Sequence, residues 1–270
     1  IDGTLLNPSG KLSERTRNVV RRVLKKYPDL HFVLASGRAR PATLHIREKL
    51  DIVNRPHTES LLSNGCVIYD SNSNVLYQDT IPSDFFIKAH KIIKPSPQYT
   101  YLYSTVEDAF TYNEKWVKIM KEKYEEQVLI IDKDDFVRKV ETGKVQVNKF
   151  CFLVSESKEA EEIREKLDDL RKEYKLKCLF STGPYLNYMP PNTNKGTSLI
   201  HLIRQLNIKK EEVIAFGDGC NDLELFQSAG WPIAMENAGD KLKSYAKLIT
   251  KSNAEDGVAD MLEKIFLKND

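Results

Sequence analysis

The apolar run Val213-Ile214-Ala215-Phe216 stops at Gly217-Asp218-Gly219-Cys220-Asn221-Asp222, and this junction constrains the rest of the chain most. The run is short, rich in residue types found in cores and bounded by glycine, so it reads as a buried parallel strand ending in a loop. In an open α/β sheet, ligands collect outside the carboxyl ends of the strands. Two carboxylates and an amide there suit a hard cation, which takes oxygen ligands. Two other readings stay open on the hexapeptide by itself. Asp and Asn are turn formers, and Gly217 with Gly219 fits part of a Gly-x-Gly-x-x-Gly nucleotide loop. That loop would lack its third glycine and would set Asp222 against a pyrophosphate.

Composition excludes several classes. The 41 basic and 39 acidic residues leave a net charge of +2, which gives no general drive toward nucleic acid. Cys66, Cys151, Cys178 and Cys220 are far apart and form no CxxC pair. A zinc cluster or disulfide framework is therefore not expected, and a reducing, cytoplasmic setting is. No apolar run approaches the ~18 residues of a membrane span, and no signal-peptide pattern opens the chain. Ile1-Asp2 stands first without a methionine, so further residues are expected upstream.

Taken in order, Ile1-Asp2-Gly3-Thr4-Leu5-Leu6 reads as the end of a strand entering a tight turn. A helix follows, capped by Ser13 and ended by Pro28, with Val19, Val20, Val23, Leu24 and Tyr27 on one face. Residues 31–35 form a strand, His31 being its opening residue rather than a ligand. Ser36-Gly37-Arg38 sits at that strand's end, before a helix running from Pro41 to Leu50. A hydroxyl and free N–H groups there can hold a phosphate oxygen, or simply cap the helix. A strand at 61–63 and a hairpin over 66–69 and 75–78 complete an opening strand–helix–strand–helix–strand pattern, the start of a parallel sheet.

The texture changes near Pro82. Residues 82–189 read as α+β, with helices at 83–94, 113–125 and 157–174 and strands at 99–105, 109–112, 149–154, 177–181 and 185–189. The period-two Tyr99, Tyr101 and Tyr103 mark one face of a sheet, and these strands show the one-face-buried alternation of an antiparallel sheet. After Pro190-Pro191, Lys195-Gly196 leads a helix over 197–206. A lysine there opposes the helix macrodipole, which favours a lysine reaching for an anion. Strands at 213–216, 232–235 and 248–250 and helices at 222–228, 240–246 and after Gly257 complete the chain.

Strand ends and helix starts thus carry Asp2, Ser36, Lys195, and Asp218 with Asp222. Parallel strands point these ends the same way. Their chemistry is coherent: hydroxyl and ammonium for phosphate oxygens, carboxylates for Mg²⁺ and proton transfer. In Asp2-Gly3-Thr4-Leu5-Leu6, Ser36-Gly37-Arg38, Ser63-Asn64-Gly65, Lys195-Gly196, the Gly217–Asp222 hexapeptide, Ala234-Met235-Glu236-Asn237-Ala238 and Glu255-Asp256-Gly257-Val258-Ala259, the chain resembles haloacid dehalogenase superfamily phosphatases of the Cof type. The matches run in family order over nearly the whole chain.

The resemblance implies an α/β fold: a doubly wound, mostly parallel core sheet over 1–81 and 190–270, with an inserted α+β cap domain over 82–189 that covers the site and selects substrate. It implies Mg²⁺-dependent hydrolysis of a small phosphorylated metabolite, sugar phosphates among the candidates, through an aspartyl-phosphate. In that scheme Asp2 is general acid and then base. Its backbone carbonyl and Asp218 ligate Mg²⁺, and Asp222 supports the metal through water. The Ile1 and Gly37 N–H groups, Ser36 and Lys195 hold phosphate oxygens, Asn221 contacts the phosphate, and Arg38 is a candidate for the rest of the substrate. The family's first motif is Asp-x-Asp-Gly-Thr, and Asp2 matches its second Asp. The nucleophilic Asp and the central strand leading to it are therefore expected before Ile1. Glu236 stands where relatives usually have Gly, and Asn187 where many have Glu. A phosphomutase on the same core, or a metabolite-binding module without the nucleophile, are the alternatives. No nucleic-acid or membrane partner is expected, and the oligomeric state is not legible.

Overall fold

Helix α1 (Glu14–Lys26) begins where its cap predicts: the Ser13 hydroxyl accepts the Thr16 amide. Glu14 in its first turn and Lys25 and Lys26 in its last complement the helix dipole. Val19, Val20, Val23 and Leu24 are buried on one stripe. Tyr27, expected on that stripe, is instead the exposed C-cap residue, its ring edge-on to Phe266.

The computed structural model describes residues 1–53, 55–93, 100–153, 158–180 and 185–268. After α1 come β1 (Leu34–Ala35), a 3-10 turn (Arg40–Thr43), α2 (Leu44–Leu50), β2 (Ser60–Leu62), β3 (Val67–Tyr69) and β4 (Val75–Gln78). Next are α3 (Ser83–Ile92), β5 (Thr100–Ser104), β6 (Ala109–Thr111), α4 (Glu114–Tyr124), β7 (Leu129–Ile130), α5 (Lys133–Glu141), β8 (Lys149–Leu153), α6 (Lys158–Glu173), β9 (Lys177–Phe180) and β10 (Tyr185–Met189). The last stretch holds α7 (Lys195–Gln205), β11 (Ile214–Gly217), α8 (Leu223–Ser228), β12 (Trp231–Ala234), α9 (Asp240–Lys243), β13 (Leu248–Ile249) and α10 (Gly257–Leu262). Among the described residues, no helix is long and apolar enough to cross a membrane.

The chain divides into two units. One comprises Ile1–Gly37, Leu44–Leu76 and Asn194–Asp270; the other comprises Arg38–Thr43 and Tyr77–Thr193. In the first unit the strands form two sheets rather than the single one expected. One has the order β1-β2-β3-β4, with β1 parallel to β2 and β2 antiparallel to β3. The other has the order β11-β12-β13 and is parallel throughout. The segment 1–6 is a turn, because the Ile1 carbonyl accepts the Leu5 and Leu6 amides at 2.8 and 3.0 Å. Ile1, Leu5 and Leu6 share an apolar cluster with Leu34 of β1, Phe216 of β11, the stripe of α1 and Val258 of α10. Helices α7 and α8 pack together, and α7 also meets β2 and β3.

The second unit is built on a six-stranded sheet of order β7-β6-β5-β8-β10-β9. Its pairs are antiparallel except β6 with β7. Strand alternation divides its core. Tyr101, Tyr103, Phe150, Phe152 and Tyr188 pack with α3, α5 and α6, while Leu102 and Cys151 pack with Met120 and Trp116 of α4. β5 is accordingly buried along its whole length, not on one face as its alternating pattern suggests. Tyr99, predicted to share the face of Tyr101, and the predicted element ends at Lys94, Val154, Ser157 and Ser181 lie outside the described residues. Helix α5, capped by Asp132, falls in a stretch with no predicted element; Phe136 and Val140 are its buried residues.

Candidate active site

β11 delivers Asp218 to its carboxyl end, and the following loop folds around one carboxylate. Asp222 Oδ2 accepts the amides of Asp218 and Gly219, both at 3.1 Å. Gly217 is required because a Cβ there would lie 2.7 Å from the Asp222 Cβ. Asp222 Oδ1 accepts from Lys195 Nζ at 2.6 Å, and the two side chains are only 6% and 5% exposed. Burial pushes the Asp222 carboxyl up, but the Lys195 ammonium, by its charge and its hydrogen bond, outweighs this and holds it below its ordinary value. Lys195 reaches this place because Asn194 caps α7, accepting the Thr197 amide at 2.8 Å and so setting Lys195 as the helix's first residue.

Asp218 faces the turn at the start of the chain. Thr4 donates to its Oδ1 at 2.5 Å. Gly3 has a left-handed φ of +69°, and a Cβ on it would stand 1.9 Å from Oδ2. Only glycine lets backbone approach the carboxylate this closely. The turn is held from behind by two asparagines. Asn237 donates to the Gly3 carbonyl at 2.9 Å, Asn253 donates to the Leu6 carbonyl at 2.8 Å, and the Asn253 amide donates to Asn237 Oδ1 at 2.9 Å. Burial pushes the Asp218 carboxyl above its ordinary value, against the pull of the Thr4 hydroxyl. Asp2, beside Gly3, is exposed.

A third loop follows β1. Ser36 is buried; its amide donates to the Leu61 carbonyl and its carbonyl accepts the Asn64 amide, both at 2.9 Å. Ser63 and Asn64 are both left-handed, at φ of 52° and 60°. This turns the Asn64 Oδ1 to accept from Asn221 Nδ2 at 2.9 Å. A Cβ on Gly37 would stand 2.9 Å from that same Oδ1. Asn64 therefore ties the Ser36–Gly37 loop to the Asp218 loop. The sequence reading gave it no role, although Asn before Gly is a signal for left-handed backbone. Thr4, Asn237 and Asn253 were likewise not singled out as site residues.

Hydrogen bonds and close approaches thus join Gly3, Thr4, Asp218, Asp222 and Lys195. A second set, Ser36, Gly37, Asn64 and Asn221, is next to the first through the adjacent residues Asn221 and Asp222. Ile1 is buried and contributes its carbonyl to the turn. Arg38 belongs to the other unit, where its buried guanidinium donates to the Ala42 carbonyl at 3.0 Å. Glu236 is exposed, so it stands in place of glycine without a burial cost, and Asn187 is buried in β10. The first set offers carboxylates, a hydroxyl and an ammonium. Its cation ligands are all oxygen, which suits Mg²⁺, while the ammonium and the backbone amides suit phosphate oxygens.

Residues 1–262 match the family of haloacid dehalogenase-like hydrolases. The chain is 30% identical over 283 residues to an uncharacterized hydrolase of Schizosaccharomyces pombe, covering 98% of this chain and 88% of that protein. It is 27% identical to the phosphatase YwpJ of Bacillus subtilis, covering 98% of each. A haloacid dehalogenase-like hydrolase of Bacteroides thetaiotaomicron superposes with a TM-score of 0.83 at 26% identity, covering 98% of this chain and 97% of that one. The chain belongs to the haloacid dehalogenase-like hydrolase family. Within that family it is an enzyme of the phosphatase type, with the α/β fold the resemblance implied.

The close approach of Gly3 to Asp218 gives a direct prediction. Gly3→Ala places a methyl group where the Asp218 oxygen stands and adds about 1–2 kcal/mol of left-handed strain. Displacing a site carboxylate by about 1 Å can cost ~10² in turnover. Steady-state phosphate release should fall by that order while far-UV circular dichroism stays native. Wild-type turnover in this variant would mean that Asp218 need not hold its place.

Proposed function

We propose that this protein hydrolyses a small phosphorylated metabolite, with sugar phosphates as the substrate class to try first, by a Mg²⁺-dependent route through an aspartyl-phosphate. The observation that supports this best is the linked set Thr4–Asp218 and Asp222–Lys195, which puts anionic oxygen ligands beside a buried ammonium. Mg²⁺ would be held by Asp218 and the Asp2 backbone carbonyl, with Asp222 behind it through water, and would neutralise charge on the phosphoryl oxygens. Lys195, Ser36 and the Ile1 and Gly37 amides would hold those oxygens, and Asn221 would contact the phosphate. Lys195 has three N–H donors, so one can serve Asp222 and the others substrate.

In this reading the attacking carboxylate belongs to the residue before Ile1, since Ile1–Thr4 continue the family pattern Asp-x-Asp-Gly-Thr. That carboxylate bonds to phosphorus, the ester P–O bond breaks, and Asp2 gives its proton to the leaving oxygen. Asp2 then takes a proton from the water that cleaves the acyl phosphate, returning both carboxylates to their starting state. The unit of 77–193 with 38–43 would act as the specificity cap, and Arg38 would serve the non-phosphate part of the substrate.

The test is phosphate release by the full chain from a panel of phosphomonoesters, with Mg²⁺ and with chelator. Substrate-dependent release that requires Mg²⁺ is expected, along with phosphate label on the protein that hydroxylamine removes. Release indifferent to chelator would sink the Mg²⁺ role, and turnover without hydroxylamine-labile label would sink the covalent one.

A further inference from the structure

Away from the site, the segments leading into β1 and β2 bring a different set of donors together. Ala35 lies opposite Leu61 in the parallel register, so His31 lies opposite His57. The bonds from the Phe32 amide to the His57 carbonyl and from the Leu34 amide to the Glu59 carbonyl continue the pairing to this point. His57 and Glu59 are two residues apart in the chain entering β2. The result is a triad: His31 Nδ1 lies 3.0 Å from Glu59 Oε2, and the ligand atoms of His31, His57 and Glu59 all fall within 4.8 Å of one another. The two imidazole rings meet edge to face with centroids 4.5 Å apart. Glu59 is buried, and both histidines are partly open to solvent.

We propose that His31, His57 and Glu59 bind a borderline divalent metal ion of the Zn²⁺ class. Two imidazoles and a carboxylate are a zinc-type donor set, and three protein ligands leave a fourth position for water. This chemistry differs from that of the all-oxygen set around Asp218. The place differs too: His31 precedes the amino end of β1, whereas Ser36 follows its carboxyl end. His57 is held at a left-handed φ of +63°, a conformation uncommon outside glycine and one that is retained where surroundings over-determine it. The neighbouring cation, Arg55, is spent on carbonyls: it donates to Leu30, Pro56, Tyr27 and Pro28 at 2.8–3.2 Å. Glu59 hydrogen-bonds His31 instead, within reach of the Arg55 charge. The sequence reading of His31 as no more than a strand-opening residue misses this because its partners are supplied by a different strand.

The full chain is titrated with Co²⁺ in excess Mg²⁺, read by visible ligand-field absorption, and then challenged with Zn²⁺. One Co²⁺ per chain should enter and be displaced by Zn²⁺. Affinity should weaken by about tenfold or more in His57→Asn and in Glu59→Gln and stay unchanged in Asp218→Asn. Asn suits left-handed backbone, so His57→Asn removes the ligand with little strain. His31→Gln, where no such backbone is involved, is the second variant should His57→Asn not fold. The proposal falls if no Co²⁺ binds, if binding survives these histidine substitutions, or if it is lost in Asp218→Asn.

Discussion

Lys195→Met should cost the enzyme turnover and stability together, and the two losses should separate in a double variant. The stability loss follows from burial. Lys195 and Asp222 are a buried ion pair, and removing one partner leaves an uncompensated charge worth about 3–5 kcal/mol. The turnover loss follows from the proposed role of Lys195, since removing a donor that would face developing phosphoryl charge costs on the order of 3 kcal/mol, roughly 10² in rate. Adding Asp222→Asn removes the orphaned charge, while the amide oxygen can still accept the Asp218 and Gly219 amides. Urea unfolding of the Lys195→Met/Asp222→Asn protein should therefore show most of the stability restored, and phosphate release should stay low. Recovery of both would mean that Lys195 acts only as a counter-ion.

The same pair gives a pH signature with a definite sign. Lys195 holds the Asp222 carboxyl below its ordinary value in the folded state. The stability Asp222 contributes is therefore fully present above the unfolded carboxyl value of about 4, and is lost as pH falls through the lower folded value. In Lys195→Met only the burial influence and the amide bonds remain. Burial, the larger of these, favours the neutral acid. The stability deficit of the variant relative to wild type should then shrink on acidification below about pH 5. A deficit that is constant or grows toward pH 4 would show that Lys195 does not set the state of Asp222.

What the sequence disclosed and what it hid divide along a physical line. Residues at strand ends were legible because a strand's carboxyl end is a local event: an apolar run stops and a polar loop begins at Asp218 or at Ser36. The partners of those residues were not, because they come from elsewhere in the chain. Nothing near Lys195 in sequence announces Asp222, and nothing near Asp218 announces Thr4 or the approach of Gly3. Asn64 was visible as part of a motif, but its contact with Asn221 exists only after Ser63 and Asn64 both turn left-handed. Helix α5 escaped because its buried positions are sparse among charged residues. β5 read as half-buried because period-two tyrosines describe one face and say nothing about α4 covering the other. The triad of His31, His57 and Glu59 needed the parallel register itself.

The largest effect expected from a single carboxylate outside the ion pair is that of Asp2→Asn, made in the full chain. Asp2 is exposed beside Gly3, whose missing side chain lets the turn press against Asp218. Two roles are possible for a carboxylate so placed: holding Mg²⁺ or moving protons. Asn keeps the size and the backbone carbonyl but carries no titratable proton. If Asp2 handles protons, Mg²⁺ activation should stay near wild type while kcat for alkyl phosphates falls by about 10²–10⁴. Asp218→Asn supplies the contrast, because it removes the carboxylate proposed to hold Mg²⁺ and should weaken Mg²⁺ activation instead. Leaving groups sharpen the test. An aryl phosphate needs little protonation on departure, so the first chemical step should lose less with it than with an alkyl ester. On the proposed covalent route, loss of the base should also slow cleavage of the acyl phosphate, which should then accumulate in rapid-quench experiments. Equal losses in that first step for both esters, with Mg²⁺ activation weakened as in Asp218→Asn, would make Asp2 a metal ligand through its side chain and leave the proton transfers to another group.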